Sequence, residues 1–330
     1  MTDDYRYAAP VRGVSRVAVC AGLALAAAQA GAEYPERAVR LVVCYAPGGS
    51  NDIVARALAQ RLTPAWGQTV IVDNRPGGNT IIGTDLVAKA PADGYTLLIT
   101  PPSFTINPGL SAKLPYDALR DFAPVTLINI NPQLLLVNPR VPARSVKDLV
   151  ALARSMSGRM NYSSSGSGGA NHLAGELFKA MAGVQIVHIP YKGNAPSLTA
   201  LAAGEVDMAF NSIPSALPLM RTAKVRALAV TGMQRSGALP DLPTLDESGL
   251  RGYEAVAWTG VNAPAGTPVA VVEKIASSMA AIIQSAEFRE RLKADGSDPV
   301  GSTPEQYGRF VRAEIRKWRK VIASAHVTAE

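Results

Sequence analysis

The sequence predicts an α/β fold with layered, largely parallel sheets, and three observations predict it. Short apolar runs recur, each followed by a glycine- or proline-bearing turn and then an amphipathic stretch, which is the order strand, turn, helix. The 28 glycines and 24 prolines imply many short elements joined by tight turns. At 330 residues, 48% of them hydrophobic, the chain is long enough for two lobes with a core each.

The first segment reads as a secretory leader. Arg12 and Arg16 precede the apolar run Val17 to Ala28, and small residues follow in Ala28-Gln29-Ala30 and Ala30-Gly31-Ala32. The run falls short of the about 20 residues that span a bilayer. Residues 1–32 are expected to be removed after Ala32, leaving Glu33-Tyr34-Pro35 at the mature start. Most of the apolar run follows Cys20 instead of preceding it, which argues against a lipid anchor. Cys44 is then the one cysteine left, so no intrachain disulfide is expected.

Val39 to Val43 reads as the first strand. The turn Pro47-Gly48-Gly49-Ser50 follows, with Ser50 as the expected N-cap. A helix comes next, with Ile53, Val54, Ala57, Leu58 and Leu62 on one face. Val70 to Val72 is a strand, Asn74 to Gly78 a turn, and Ile81 to Ala90 a helix. Tyr95 to Thr100 and Pro124 to Ile130 are strands. Ser145 with Asp148 starts a helix, because the hydroxyl caps free N–H groups and the carboxylate suits the first turn. Further strands are Ile186 to Ile189, Met208 to Phe210 and Val225 to Thr231. Thr267-Pro268 and Thr303-Pro304 each place an N-cap before a proline at the first helical position. The last helix runs to about Ser324.

The net charge of +7 makes a surface that draws anions. No cluster of Lys and Arg interleaved with aromatics appears, so nucleic acid is not an expected partner. The basic stretch from Arg312 to Lys320 alternates with apolar residues and reads as the solvated face of a terminal helix.

Two glycine- and serine-rich turns carry the chemistry. In the first, Gly48 and Gly49 lack Cβ and let a ligand approach the backbone, and the helix behind them offers free N–H groups and its dipole to an anion. The second is Ser163-Ser164-Ser165-Gly166-Ser167-Gly168-Gly169, seven small residues that build no core but offer hydroxyls and amides directly before a helix. Both turns sit where α/β sheets bind ligands, at the carboxyl ends of strands. His172 follows the second turn, as a ligand contact, a base or a structural histidine. His188 lies in an apolar strand and reads as core, and His326 lies near the tail. Three separated histidines and one mature cysteine indicate no metal cluster. The P-loop, the G-x-G-x-x-G turn and the G-x-S-x-G elbow are absent. The enzyme alternative is a secreted serine hydrolase using Ser167 or Ser165 with His172.

With these stretches assembled, the chain closely resembles the tripartite tricarboxylate transporter receptors, the Bug family of periplasmic solute-binding proteins. The resemblance covers nearly all of residues 33 to 326. It is carried by YPERAVRLVV, APGGSNDIVAR, VIVDNRPGG, PADGYTLL, LPYDALRDFAPVTLI, NHLAGELFKAMAG, VHIPYKG, GEVDMAF, RALAVTG, LPTLDESGLRGYE and GSTPEQYGRFVRAEIRKW. It departs from the common pattern at Cys44, Tyr45, Asn51 and Asn211, the last standing where many relatives carry aspartate.

The resemblance implies a two-lobed type II periplasmic binding fold with a hinge and an inter-lobe cleft. Lobe 1 would comprise 33–130 and 233–330, and lobe 2 would comprise 131–232. It implies a monomeric receptor, with no cofactor and no catalysis. The receptor would capture a small carboxylate in the periplasm and hand it to membrane permease subunits, or report it to a sensor. The implied ligand contacts are Tyr45, Ala46, Pro47, Gly48, Gly49, Ser50 and Asp52 from the first loop, and Pro102 and Ser103 after Thr100. From the other lobe come Ser164, Ser165, Gly166, Ser167, Gly168, Gly169, Ala170 and His172, with Tyr191, Lys192 and Asn211.

Overall fold

The computed structural model describes residues 34–325 and 327, apart from 112, 192 and 295. The expected leader, Lys192 and His326 lie outside the described residues. From Arg37 onward the chain forms one unit.

Strand β1 (Val39–Val43) is buried along almost its whole length, as a strand covered on both faces must be. It pairs in parallel with β2 (Val70–Asn74) and β3 (Thr96–Thr100). At the other end of the structure β5 (Asn161–Ser164) pairs in parallel with β6 (Val187–Pro190) and β7 (Met208–Ser212). The middle is antiparallel, which corrects the expectation of largely parallel sheets. There β4 (Phe122–Val137) runs against β7, β8 (Arg226–Val230), β9 (Val256–Pro264) and the short β10 (Asp298–Pro299). The order is β2-β1-β3-β9-β4-β7-β5-β6.

β4 joins the two wings. Through Pro132 it pairs with β9, and from Gln133 it pairs with β7; β8 joins it from Leu134. Pro132 has no N–H to give a ladder, and it stands where the partner strands change. The strand thus runs beyond the expected Pro124 to Ile130 at both ends.

Helix α1 (Ser50–Trp66) follows β1, α2 (Ile81–Ala88) follows β2, and α3 (Ser103–Leu110) follows β3. Ser145 caps α4 (Val146–Met156) as expected, accepting from the Asp148 N–H at 3.1 Å. The other wing carries α5 (Ala170–Ala182), α6 (Asn194–Ala203) and α7 (Ile213–Arg221). α8 (Val269–Gln284), α9 (Ala286–Ala294) and α10 (Pro304–Ala325) complete the chain. Thr303 caps α10: its hydroxyl accepts from Gln306 N, and Gln306 Oε1 accepts from Thr303 N. Two other caps differ from expectation. Gly49, not Ser50, caps α1, and Thr267 Oγ1 donates back to Pro264 O, which leaves Pro268 as the cap of α8.

α10 buries Tyr307, Val311, Ile315, Trp318 and Ile322, which recur at helical spacing, and exposes Arg309, Arg312, Arg316 and Arg319. Two glycines make room for aromatic rings. A Cβ on Gly175 would lie 2.2 Å from the Tyr162 ring, and one on Gly260 would lie 2.2 Å from the Tyr307 hydroxyl.

Candidate functional site

The first turn leaves β1 at Cys44. Tyr45 to Ser50 are exposed, whereas Asn51 and Asp52 are buried. Gly48 holds φ +88°, a conformation that favours glycine, while Gly49 is extended at φ −75°. The Asp52 carboxylate accepts from Gly48 N and Arg56 Nε at 2.9 Å and from Asn74 Nδ2 at 3.0 Å. Burial alone raises the Asp52 pKa, but the bonds from Arg56, Gly48 and Asn74 outweigh it and hold the carboxyl below its ordinary value. Asp52 therefore fixes the shape of the turn from within. Asn51 Nδ2 donates to Thr259 Oγ1 and ties the helix start to β9.

Beside this turn the Tyr45 hydroxyl lies 3.3 Å from Ser103 Oγ, which lies 3.0 Å from Thr80 Oγ1. Asn79 and Thr80 both hold positive φ, which is unusual for a β-branched threonine. Asn107 holds them there, accepting from Asn79 Nδ2 and donating to Asn79 O. Pro102 is the residue before α3.

In the second loop Ser163 and Ser164 are fully buried, and Ser165 to Ala170 are partly to fully exposed. Ser165 Oγ donates to Asn171 Oδ1, and Gly193 N to Ser165 O. Gly166 and Gly168 hold φ +143° and +71°. A Cβ on Gly168 would lie 3.2 Å from the Leu110 side chain at the end of α3. Gly169 caps α5.

A cavity of about 400 Å³ lies between these elements. Ser50 lines it from α1, Asn171 from α5, Asn194 from α6, and Ser212 and Ser215 from α7. Asn131 and Gln133 of β4 and Ser297 add polar groups, and Ile53, Val54, Ile213 and Pro214 supply the apolar part. Four helices thus present their first turns to one space. Their free N–H groups and positive dipole ends suit an anion, and among the described residues no charged side chain lines the cavity.

Of the residues expected at the site, Ser50 lines this cavity. Asn211 is fully buried, and both ends of its amide are engaged: Nδ2 donates to Asn194 O, and Oδ1 accepts from Ser212 N. It therefore anchors the starts of α6 and α7. Tyr191 packs against the apolar cluster around Leu198 and Leu201, and burial, with the Glu205 carboxylate acting in the same direction, raises its pKa. His172 lies under the second loop, where its Nδ1 accepts from Gly168 N at 2.9 Å. His188 is half-buried and not a core residue; its ring stacks on that of His172.

Sequence reasoning missed Asn171, Asn194, Ser212 and Ser215. The signals were present: Ser212-Ile213-Pro214 is a cap followed by proline, and Asn194-Ala195-Pro196 places a proline in a first turn.

The geometry gives the Ser165–His172 pair of the hydrolase alternative no support. Nδ1 of His172 accepts a backbone N–H, and Ser165 donates to Asn171 instead of to a histidine. Ser164 does meet His188 Nε2 at 2.7 Å, but it is fully buried. Among the described residues, no group of His, Cys, Asp or Glu side chains is placed to hold a metal ion.

Comparison with known proteins agrees with this architecture. Residues 54–327 match the family described as the tripartite tricarboxylate transporter family receptor. Protein BugT of Bordetella pertussis is 36% identical over 291 residues, covering 88% of this chain and 89% of BugT. A Rhodopseudomonas palustris protein solved with adipate, Rpa4515, is 40% identical with a TM-score of 0.75, covering 90% of this chain and 99% of that one. MatC of the same organism, solved with malate, is 31% identical with a TM-score of 0.71, covering 88% and 100%. These relatives are binding receptors, not enzymes. The chain belongs to the tripartite tricarboxylate transporter receptor family, whose members are periplasmic solute-binding proteins.

Proposed function

We propose that this protein captures a small dicarboxylate lacking an ammonium group and passes it to membrane permease subunits of a tripartite tricarboxylate-type transporter. The observation that carries this reading is the meeting of four helix starts at one cavity that has no charged lining among the described residues. Each helix end contributes about 0.3–1 kcal/mol toward an anion, up to about 2 when partly buried. Hydrogen bonds to a carboxylate add roughly 1.5–3 kcal/mol each. A few of these reach the roughly 8 kcal/mol of micromolar binding. An amino acid would bring an ammonium group, and among the described residues no Asp or Glu lines the cavity to receive it. Adipate and malate, bound by two relatives, are dicarboxylates of this class.

The proposal places residues 33–130 and 233–330 in one lobe and 131–232 in the other. Its support is the change of partner strands at Pro132–Gln133, together with the bonds Thr231 N to Gln133 O and Gln133 N to Thr231 Oγ1 where the chain returns. The ligand would bridge both lobes only when they close, and so shifts the population toward the closed form. Cleavage after Ala32 would deliver the receptor to the periplasm. N-terminal sequencing of exported protein should begin at or near Glu33.

Thermal-shift screening of the mature protein against carboxylates and their amino-acid analogues tests the assignment. A true ligand at about 100 times its Kd adds roughly 2.7 kcal/mol of stability. Stabilisation by amino acids and not by plain dicarboxylates would overturn it.

A further inference from the structure

The second loop rests on two histidines. His172 from α5 and His188 from β6 stack ring on ring, with centroids 3.8 Å apart and planes 7° apart. Each ring holds one end of the loop. His188 Nε2 meets Ser164 Oγ at 2.7 Å, and that hydroxyl also bonds Gly166 through both its carbonyl and its N–H. His172 Nδ1 accepts from Gly168 N at 2.9 Å. A backbone N–H only donates, so Nδ1 of His172 carries no proton and its ring is neutral in this arrangement.

We infer that the His172–His188 pair is a pH-sensitive latch that positions the 163–169 loop, holding it while both rings are neutral and releasing it when one gains a proton. The inference rests on the reading that this loop closes on the ligand. Protonating His172 at Nδ1 sets an N–H against the Gly168 N–H, two donors with no acceptor between them. Protonating either ring also places a cation face to face with its neighbour in a part-buried site. The ordinary histidine pKa, about 6.5, puts this change within reach of a compartment whose pH varies.

The surrounding groups agree with the sign. Tyr162 of β5 packs against both rings, and its hydroxyl donates to Glu176 Oε1. Glu176 lies 3.8 Å from His172 Nε2 and favours a proton there, but Lys179 neutralises it at 2.8 Å. From the segment before β9, the Tyr253 hydroxyl donates to Ala174 O on the same helix. Burial is the largest cause that pushes the His188 pKa down to about 3, and a proton on His172 or the Lys179 charge acts in the same direction. A pKa lower in the latched state than in the released state means the latch is whole above about 6.5 and weakens as pH falls toward the latched value. One proton taken up on release weakens loop closure about tenfold per pH unit in that window.

Two variants separate titration from hydrogen bonding. Asparagine carries an acceptor where His172 has Nδ1, glutamine carries a donor where His188 Nε2 meets the Ser164 hydroxyl, and neither titrates. Backbone amide spectra of the ligand-free protein, from about pH 7.5 to about pH 4.5, should show Gly166 and Gly168 moving together with a midpoint below about 6.5. The movement should vanish when His172→Asn and His188→Gln are combined, since either ring left alone still titrates. Wild-type amides that stay fixed across this range would overturn the latch, whether or not the variants fold. Calorimetry with the tightest of a dicarboxylate set that includes adipate and malate then compares wild type with the double variant at each pH, so that titration of the ligand cancels. The wild-type to variant affinity ratio should fall by up to about tenfold per pH unit in the window. A constant ratio with titrating amides would leave the latch standing and remove this loop from the ligand site. If no dicarboxylate binds, the proposed function fails and the amide spectra still decide the latch.

Discussion

The N–H of Gly48 donates to the Asp52 carboxylate, four residues on, at 2.9 Å. The turn that faces an anion thus already contains one, and its own carboxylate uses one of the amides a ligand would want. Asp52→Ala should destabilise the fold by about 1–3 kcal/mol, because Gly48 N, Arg56 and Asn74 lose a shared acceptor. The Asp52 pKa is held below its ordinary 3.8, so its stabilisation is complete above that value and is lost as pH falls through the lowered one. Urea titrations at neutral and acid pH should show wild type and variant converging in acid.

Gly48 and Gly49 should respond oppositely to substitution. Gly48→Ala forces an L side chain to φ +88° and should cost about 1–2 kcal/mol. At Gly49 the backbone is extended, and a Cβ would meet only Ala46 O at 3.7 Å. Gly49→Ala should stay within about 0.5 kcal/mol. Chemical denaturation of the pair checks both.

Asn211→Asp should act through stability. A carboxylate cannot donate to Asn194 O, so the change buries a charge against a carbonyl. We expect a loss of about 1–3 kcal/mol at neutral pH. The aspartate pKa would be raised in the folded state, so the penalty should shrink as pH falls toward 4. Equal stability at pH 7 would show that the bond to Asn194 is not needed.

Ser50→Ala should weaken dicarboxylate binding by about three- to tenfold while leaving the melting temperature of the free protein nearly unchanged, since its side chain is exposed in the cavity mouth. Isothermal calorimetry beside a thermal melt separates the two effects.

Cys44 should be inert in the folded protein. Burial pushes its thiol up to about 11, with the Thr84 hydroxyl opposing. A thiol reagent at pH 8 should label it only when urea unfolds the chain. Rapid labelling in native buffer would contradict the buried position.

What was legible in the sequence is local. Glycines after β1 and β5, Ser145 before Asp148, and Thr303 before Pro304 carry their meaning within four or five residues. The roles of Asp52, Asn211 and His172 were not legible, because each is decided by partners elsewhere in the chain: Asn74, Asn194 and His188. β9 escaped for the same reason. Gly260 weakens its local strand signal, and only the Tyr307 ring, 47 residues away in α10, explains why glycine stands there. α3 contains Pro108, which read as loop, and its burial against α10 overrides that signal.

The position of β9 between β3 and β4 also governs when the chain folds. Both inner strands wait for residues 256–264, so the centre of the sheet stays open until most of the polypeptide exists. Pairings between segments this far apart close slowly, because loop entropy is lost before any contact repays it. A newly made chain therefore completes the centre of its sheet only after residues 256–264 exist.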